Sequence, residues 1–452
     1  MPAAPEILIG NATLPDGSRA DIRVRGKRIA EIGKNLQPGP GCEQLDASGL
    51  LAYPGLVNTH HHLFQSVLKA VPEGIDQPLG PWLAHVPYRA WGQVTPELMY
   101  CAARVGLSEL LRSGCTTCAD HHYLYHADTS PELEEAIFQA ARELGIRLVL
   151  CRGGGSREGS HQGLAVTDLV PESIEQRLQR MQDSAARHHD PAADAMTRVV
   201  VAPTSVIHAS TRQELLLLAE FAREHGLRRH SHLLEVGFDD EVAREKHGMS
   251  AIDYMDDVGW LGEDVWFAHL VHVDDSGLSK LIATHTGIAH CPTSNARLGS
   301  GVARVPEMHA GGQPVSLGVD GSASAESGSM VSEMLLAWLV HRAVGGPAAT
   351  QVEQVQHWAS RGGAQILGFA ELGALEAGML ADIVLYDLAA PRFAGVWEPQ
   401  WAPVVCGEPI TAREVMINGE WRVRGGEILG VDQAELFRQT QRQLAILVDA
   451  CR

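Results

Sequence analysis

Eight short apolar segments, separated by stretches with helical patterns, constrain the fold of this chain more than any other feature. Each segment is a nearly continuous apolar run of strand length, which is typical of parallel strands that are covered on both faces. Eight strand–helix units in succession predict an α/β fold, a (β/α)₈ TIM barrel. The predicted strands are Leu51–Val57, Thr116–Asp120, Ile146–Leu150, Arg198–Ala202, Leu227–His232, Val265–His269, Gly287–Cys291 and Pro314–Val319.

The two ends of the chain have a different pattern, with short strands and turn signals such as Asp16-Gly17 and Asn418-Gly419. We therefore predict a small β-sandwich domain built from both termini, residues 1–54 and 374–452. Residues 55–373 form the predicted barrel domain. The last predicted element is a helix over Ala434–Val448.

The charge and the cysteines limit the class of partner and the compartment. A net charge of -19, from 36 Lys+Arg against 55 Asp+Glu, argues against nucleic acid and anionic membrane surfaces as partners. We find no apolar segment long enough to span a bilayer and no signal-peptide pattern at Met1–Glu6. Eight cysteines over this length do not make a disulfide framework, so we expect a cytoplasmic protein. Cys115 and Cys118 have redox or zinc spacing, but their place inside a predicted buried strand favours a structural role.

Histidines lie at the ends of several predicted strands, where a barrel of this type places its chemistry. Strand side chains alternate between two faces, so His60 and His62 point the same way and His61 points the other. One histidine at a strand end is more often a polar residue with ordinary partners, and three in a row can be chance. Convergence from several strands instead predicts a metal site, since imidazole is a common ligand of Zn²⁺ and similar cations. The further candidates at strand ends are His232, His269, His290 and Asp320.

Five motifs carry a resemblance to a known family. They are Pro54-Gly55-Leu56-Val57-Asn58-Thr59-His60-x-His62, His232-x-x-Glu235, Ala268-His269, His290-Cys291-Pro292-x-Ser294-Asn295 and Asp320. In this order they resemble the amidohydrolase superfamily, and within it the deaminases of aminated heterocycles and the related s-triazine hydrolases. The resemblance covers essentially the whole chain, including the divided β domain.

The resemblance implies a single divalent metal ion. Its implied ligands are His60, His62, His232 and Asp320. Zn²⁺ is the first choice for such a set, and Fe²⁺ and Mn²⁺ can share the same nitrogen and oxygen ligands. Two-metal members of the superfamily usually bridge their ions with a carboxylated lysine. No lysine lies between Lys69 and Lys246, so a mononuclear centre is expected unless another carboxylate bridges two ions.

The resemblance also implies three catalytic residues. Asp320 would take the proton of the attacking water. His269 would orient the hydroxide and hold the developing oxyanion. Glu235 would protonate a ring nitrogen and then help to deliver a proton to the departing amine. A solvated loop carboxylate is the plain alternative for Glu235, and its position three residues after His232 argues against that alternative.

The loops after the first three strands supply candidates for binding the substrate. Gln65 offers an amide, Trp82 could stack on a flat ring, and Arg152 could bind a ring carbonyl. Tyr123 is the fourth candidate, and loop packing remains the plain alternative for each of them. The first loop and Asp120–Tyr123 are most similar to enzymes that deaminate 8-oxoguanine and isoxanthopterin, and Pro81–Arg89 is most similar to the isoxanthopterin deaminases.

We therefore predict a homo-oligomeric enzyme that converts isoxanthopterin and water into 7-oxylumazine and ammonia. Deamination of 8-oxoguanine or guanine is one alternative. Hydrolysis of an s-triazine, with chloride or an alkylamine as the leaving group, is another. A barrel protein that has lost catalysis is a remote alternative, because the implied ligands and catalytic residues are all present.

Overall fold

The computed structural model describes residues 6–155, 169–407 and 410–451. Its strands fall into two sheets. The strands are β1 (Glu6–Thr13), β2 (Arg19–Arg25), β3 (Arg28–Gly33), β4 (Glu43–Asp46), β5 (Leu50–Pro54), β6 (Leu56–His61), β7 (Cys115–His122), β8 (Arg147–Arg152), β9 (Thr197–Val201), β10 (Arg229–Leu233), β11 (Val265–His269), β12 (Gly287–His290), β13 (Val315–Leu317), β14 (Ile383–Asp387), β15 (Ala412–Ile417), β16 (Glu420–Arg424) and β17 (Glu427–Ile428).

Helices follow most of the strands β6–β13, which form one of the two sheets. They are α1 (Leu79–His85), α2 (Pro87–Trp91), α3 (Pro96–Arg112), α4 (Glu132–Leu144), α5 (Ile174–His188), α6 (Arg212–Glu224), α7 (Phe238–His247), α8 (Ala251–Asp257), α9 (Asp275–Ala283), α10 (Pro292–Arg297), α11 (Val305–Ala310), α12 (Ser322–Ala325), α13 (Met330–Gly345), α14 (Val352–His357), α15 (Gly363–Ile366), α16 (Ala402–Val405) and α17 (Gln433–Ala450). Short 3₁₀ segments lie at Leu63–Val67, Pro72–Gly74, Pro391–Phe393 and Pro399–Trp401, and a π-helical turn lies at Trp358–Gly362. No helix in the described ranges is both long and apolar enough to cross a membrane.

The eight strands β6–β13 form the predicted parallel barrel, each paired with its neighbours along the chain. Small apolar residues such as Ala119, Ala268 and Ala289 belong to one buried cluster, while the strand residues between them join the larger cluster that includes the helices. This alternation turns every second side chain inward, so the residues just beyond the strands meet at one mouth.

The ladder does not continue between the last barrel strand and the first, and polar groups close the seam instead. Asp320 N donates to the carbonyl of His60 (3.0 Å), and Val319 N donates to Asn58 Oδ1 (3.1 Å). Thr59 Oγ1 donates to the Leu317 carbonyl at 3.0 Å. Two candidate ligands therefore belong to the closure of the barrel.

Both termini contribute to the other sheet, as predicted. Its nine strands include β1–β5 from the N-terminal part and β14–β17 from the C-terminal part, and β5 pairs antiparallel with β14 at the junction. The buried Arg147 of β8 connects this sheet to the barrel, because its guanidinium binds Asp382 Oδ2 at 2.5 Å and Asn418 Oδ1 at 2.9 Å. The exact domain boundaries stay a prediction.

One predicted strand is wrong. The run Leu51–Val57 is two strands, β5 in the mixed sheet and β6 in the barrel, and the chain passes between the sheets at Gly55. Gly55 N donates to the Asp382 carbonyl at 2.9 Å, and a Cβ at this position would lie 2.3 Å from Thr116 Oγ1. Because both strands are buried, their apolar composition did not reveal the break.

Candidate active site

The histidines at the barrel mouth have their tautomers fixed by backbone carbonyls. The Nδ1 of His62 lies 2.7 Å from the carbonyl of His121, and the Nδ1 of His232 lies 2.8 Å from the carbonyl of Thr204. A carbonyl only accepts, so each Nδ1 carries the proton and each Nε2 presents a lone pair. The two Nε2 atoms are 3.1 Å apart. Two facing lone pairs cannot form a hydrogen bond with each other, so the arrangement is suited to a cation that both nitrogens can bind.

His60 reaches the same state through His230. The Nδ1 of His230 donates to the carbonyl of Trp266 (3.0 Å), which leaves its Nε2 to accept from His60 Nδ1 at 2.8 Å. The Nε2 of His60 therefore also presents a lone pair, and it has no hydrogen-bond partner among the described residues. Burial lowers the pKa of both His60 and His232 well below the usual range, which keeps them neutral as metal ligands require.

Asp320 adds a carboxylate to these imidazoles. Its Oδ1 lies 3.3 Å from His60 Nε2 and 3.2 Å from His62 Nε2. Its Oδ2 accepts from the hydroxyls of Ser294 (2.6 Å) and Ser324 (3.3 Å). Three imidazole lone pairs and one carboxylate oxygen thus converge, and this donor set fits a divalent cation such as Zn²⁺.

The potential ligand atoms form two overlapping groups, each with its atoms within 4.8 Å of one another. One group is His60, His62, His121 and His232, and the other is His60, His232, His269 and Asp320. The four ligands expected from the sequence are distributed over both groups, while His269 and His121 are additional members.

Glu235 and His269 face each other beside this cluster, with Glu235 Oε2 3.5 Å from His269 Nε2. Burial raises the pKa of Glu235 to about 7, although the neighbouring His269 opposes the shift. Burial also lowers the pKa of His269, but the carboxylates of Glu235 and Asp320 raise it by more, so that its net value lies above the usual one. The carboxyl group of Glu235 can therefore hold or release a proton near neutral pH.

Three residues at the site have an unusual backbone conformation. Leu234, His269 and Asp320 have φ angles of 54°, 76° and 57°, in the left-handed region that non-glycine residues rarely adopt. At Leu234 the turn is supported by Asp239, whose Oδ2 accepts from the Leu234 N–H at 2.7 Å. Asp239 Oδ1 in turn contacts His208 Nε2 at 2.9 Å. Strain of this kind is concentrated at functional sites.

A cavity opens next to the cluster. The described residues that line it are His62, Gln65, Leu79, Trp82, Leu83, Tyr88, Tyr123, Thr204, Ser205, His208, His232, Glu235, Asp239, His269, Leu298 and Asp320. Three of the four predicted substrate residues are in this set: Gln65, Trp82 and Tyr123. Gln65 Nε2 donates to the Tyr123 hydroxyl at 3.0 Å, and the buried Oε1 of Gln65 has no partner among the described residues.

The structure does not bring the fourth predicted residue, Arg152, to the cavity. Arg152 is buried and makes a two-pronged ion pair with Glu172, with distances of 2.9 Å and 2.7 Å. Its guanidinium also lies 3.8 Å from the ring centroid of Tyr125. A buried guanidinium needs such a carboxylate partner. We therefore withdraw Arg152 as a ligand for a ring carbonyl.

His290 and His61, two of the histidines that the sequence places at strand ends, lie outside both potential ligand groups. His290 faces the helix layer, where its Nε2 lies 3.1 Å from Nε2 of His341 in α13. His61 accepts the backbone N–H of His62 through Nδ1 (2.8 Å). The outward-facing residues of the strands thus use their imidazoles in packing.

The supporting residues His230, Asp239 and Asn295 were given no role from the sequence, although Asn295 ends one of the motifs that carry the family resemblance. Asn295 Oδ1 contacts the Nδ1 of His269 at 2.8 Å. His230 was accessible to the same rule that paired His60 with His62, since it lies two residues before His232. Asp239 carries no comparable signal, because it supports the turn at Leu234 through a backbone amide.

Comparisons with known proteins find relatives that match this chain over nearly its full length. The model of the amidohydrolase family matches residues 51–422. An isoxanthopterin deaminase from an unknown prokaryotic organism is 42% identical over 452 residues, covering 96% of this chain and 93% of the relative. The 8-oxoguanine deaminase of Pseudomonas aeruginosa is 38% identical over 427 residues, covering 94% of this chain and 93% of the relative. The crystal structure of atrazine chlorohydrolase from Arthrobacter aurescens TC1 complexed with zinc has a TM-score of 0.92 at 28% identity, covering 97% of this chain and 100% of that one.

Proposed function

This chain belongs to the amidohydrolase family and is a hydrolytic deaminase, and we propose that its substrate is isoxanthopterin, which it converts with water into 7-oxylumazine and ammonia. The observation that carries the proposal is the cavity that joins the imidazole–carboxylate cluster to Gln65, Trp82 and Tyr123. The 42% identity over nearly the full length to an isoxanthopterin deaminase supports the choice of ring.

We propose one divalent metal ion, Zn²⁺ in the first place, with Fe²⁺ and Mn²⁺ as alternatives. The residues that would hold it are His60, His62, His232 and Asp320. The fixed tautomers of the three histidines support this assignment, because each presents its Nε2 lone pair to the same point. When bound, the ion would lower the pKa of a bound water molecule, so that this water can lose a proton and act as a nucleophile near neutral pH.

The proton transfers fall to Asp320 and Glu235 in this proposal. Asp320 accepts the proton of the attacking water. Glu235, with its pKa raised to about 7, is protonated in a sizeable fraction of molecules at neutral pH and donates to the ring nitrogen beside the attacked carbon. When the C–N bond then breaks and the C=O bond forms, Glu235 takes up the proton of the new hydroxyl and helps to deliver the proton held by Asp320 to the departing amine. Ammonia leaves, and both carboxyl groups return to their starting states. His269 lies 3.5 Å from Glu235 and holds the oxygen that becomes negatively charged.

Residues that line the cavity would bind the ring of the substrate. The buried Oε1 of Gln65 can accept an N–H of the heterocycle, since its own amide nitrogen is already used by Tyr123. Tyr88 and Trp82 add flat apolar surface on the same wall. Such a site favours a flat aromatic heterocycle with hydrogen-bonding edges.

8-Oxoguanine is the second candidate substrate, supported by the 38% identity to an 8-oxoguanine deaminase. Guanine and s-triazines with chloride or alkylamine leaving groups are further alternatives on the same scaffold. A barrel without catalysis is disfavoured, because the proposed ligands lie together with Glu235 and His269.

Ammonia release from a panel of substrates tests the proposal. The metal-loaded protein is assayed with isoxanthopterin, 8-oxoguanine, guanine, cytosine, S-adenosylhomocysteine and hydroxytriazines. We expect the highest kcat/KM for isoxanthopterin, with the disappearance of its absorbance matching the ammonia formed. No ammonia from isoxanthopterin, together with fast release from 8-oxoguanine, would contradict the proposal.

We further propose that the enzyme works in the cytoplasm as a homo-oligomer, with no nucleic-acid or membrane partner. The net charge of -19 supports the second part, because it repels phosphate backbones and anionic lipids. Light scattering of the purified protein would measure the oligomeric state directly.

A further inference from the structure

His121 at the end of β7 has no part in the mechanism above, although it lies among the proposed ligands. Its side chain is fully buried, and its Nε2 lies 3.0 Å from the carbonyl of Ala202. Because that carbonyl can only accept, Nε2 carries the proton and Nδ1 presents a lone pair. This Nδ1 is buried and has no hydrogen-bond partner within the described residues.

The ring of His121 lies close to the proposed metal ligands. One ring nitrogen of His121 lies within 4.8 Å of the ligand nitrogens of His60, His62 and His232. The ring centroids of His121 and His232 are only 4.6 Å apart. Since Nε2 is occupied by Ala202, Nδ1 is the free donor atom. A buried acceptor without a partner is unfavourable, and a cation at this point would remove that cost.

We propose that His121 is a further ligand of the divalent cation, which then has four imidazoles and one carboxylate from the protein. The inference rests on the metal site of the proposed function. Five protein donors exceed the three that usually hold a catalytic zinc. They favour an ion that accepts five or six ligands, so His121 would contribute to the choice between Zn²⁺, Fe²⁺ and Mn²⁺.

The test uses two substitutions at His121 that differ in the atom they keep. His121→Gln can place its amide N–H near the Nε2 position and keep the bond to Ala202, but it loses the lone pair of Nδ1. His121→Asn instead offers an oxygen near the Nδ1 position. The matched control is His122→Gln, because His122 is equally buried, has no partner for either ring nitrogen among the described residues, and belongs to neither ligand group. In every variant the backbone carbonyl of residue 121 still orients His62.

Two measurements are made on the full chain without any substrate. The Kd for Zn²⁺ is obtained by competition with a chelator after the metal is stripped, and the visible spectrum is recorded after loading with Co²⁺. We expect His121→Gln to weaken Zn²⁺ binding by at least roughly tenfold and to increase the visible absorption of Co²⁺, because cobalt with fewer ligands absorbs more strongly. We expect His121→Asn to have an intermediate Kd and His122→Gln to match the wild type.

Wild-type Zn²⁺ affinity in His121→Gln would overturn the inference, and so would weaker binding with an unchanged Co²⁺ spectrum, which would make His121 a supporting residue. If His121→Gln does not fold, His121→Asn and His121→Ala carry the test. We then expect an intermediate Kd for His121→Asn, and weaker binding with a changed Co²⁺ spectrum for His121→Ala. Wild-type values in both variants would overturn the inference. A wild-type chain that binds no divalent cation would overturn the proposed function itself. Tight binding by the wild type and by His121→Gln alike would remove only the fifth ligand.

Discussion

Replacing Glu235 by Gln should remove turnover and leave the metal in place. Glutamine keeps the shape of the side chain and its contact with Ser300 Oγ, which is 3.4 Å from Glu235 Oε1, but its amide cannot act as a general acid. A well-placed general acid contributes about 10²–10⁴-fold to the rate, which corresponds to about 3–5 kcal/mol of transition-state stabilisation. Glu235 belongs to neither group of potential ligands, so metal affinity should be unchanged.

The measurement is kcat from ammonia release, together with metal content by elemental analysis of the same preparation. Glu333→Gln is the matched control, because Glu333 is also a buried carboxyl with a raised pKa but lies outside the described lining of the cavity. We expect a fall of about 10²-fold or more in kcat for Glu235→Gln and a near-normal value for the control. A kcat within a few-fold of the wild type, or a metal content that falls with the activity, would refute the reasoning.

Three further predictions concern stability and substrate binding. Asp382→Asn should lower the free energy of unfolding by about 3–5 kcal/mol, because it leaves the buried guanidinium of Arg147 without its carboxylate. Divided by the unfolding entropy of a chain of this size, this loss corresponds to a fall in Tm of about 3–5 °C. An unchanged Tm in calorimetry would contradict the prediction. Gly321→Ala should raise KM by roughly an order of magnitude with metal content unchanged, since the added Cβ would lie 1.7 Å from the Oε1 of Gln65 and displace it. Gln65→Ala should have the same effect, and the double variant should add little to it. Additive effects on KM would show that the two substitutions act independently, which would contradict the prediction. Glu333→Gln should gain stability relative to the wild type as the pH rises. Burial raises the pKa of Glu333 from 4.5 to about 8, so the folded wild type resists an ionisation that the unfolded chain undergoes. The gain should be about 1.4 kcal/mol per pH unit between about pH 5 and about pH 7.5 in denaturant titrations, and it should level off as the pH passes the folded pKa. A constant difference would contradict the prediction.

The barrel and the metal cluster were predictable because they depend on local periodicity. Buried parallel strands are continuous apolar runs, and a period of two places His60 and His62 on one face. These rules act within a few residues and need no knowledge of distant partners. The same period would have identified His230, which lies on the face of His232 and holds His60 through its ring.

Features that depend on distant partners could not be predicted in this way. Arg152 resembled a substrate ligand by residue type, but the fold brings Glu172 to it from 20 positions away and neutralises it. The division of Leu51–Val57 depends on how closely Thr116 approaches Gly55, which only the packed structure shows. Asp239 supports Leu234 through a backbone amide, and any residue type at position 234 other than proline offers that amide.

The polar seam of the barrel has a consequence for the order in which the protein assembles. Val319 and Asn58, which meet across it, are 261 positions apart along the chain. Contacts between such distant segments carry a high loop-closure entropy and form late in folding. The seam also brings His60 and Asp320 together, so the catalytic cluster is completed only when the final strand docks. A bound cation stabilises only the closed form, and the metal-free enzyme should therefore exchange the amide hydrogens of this seam sooner than those of the other strand pairs.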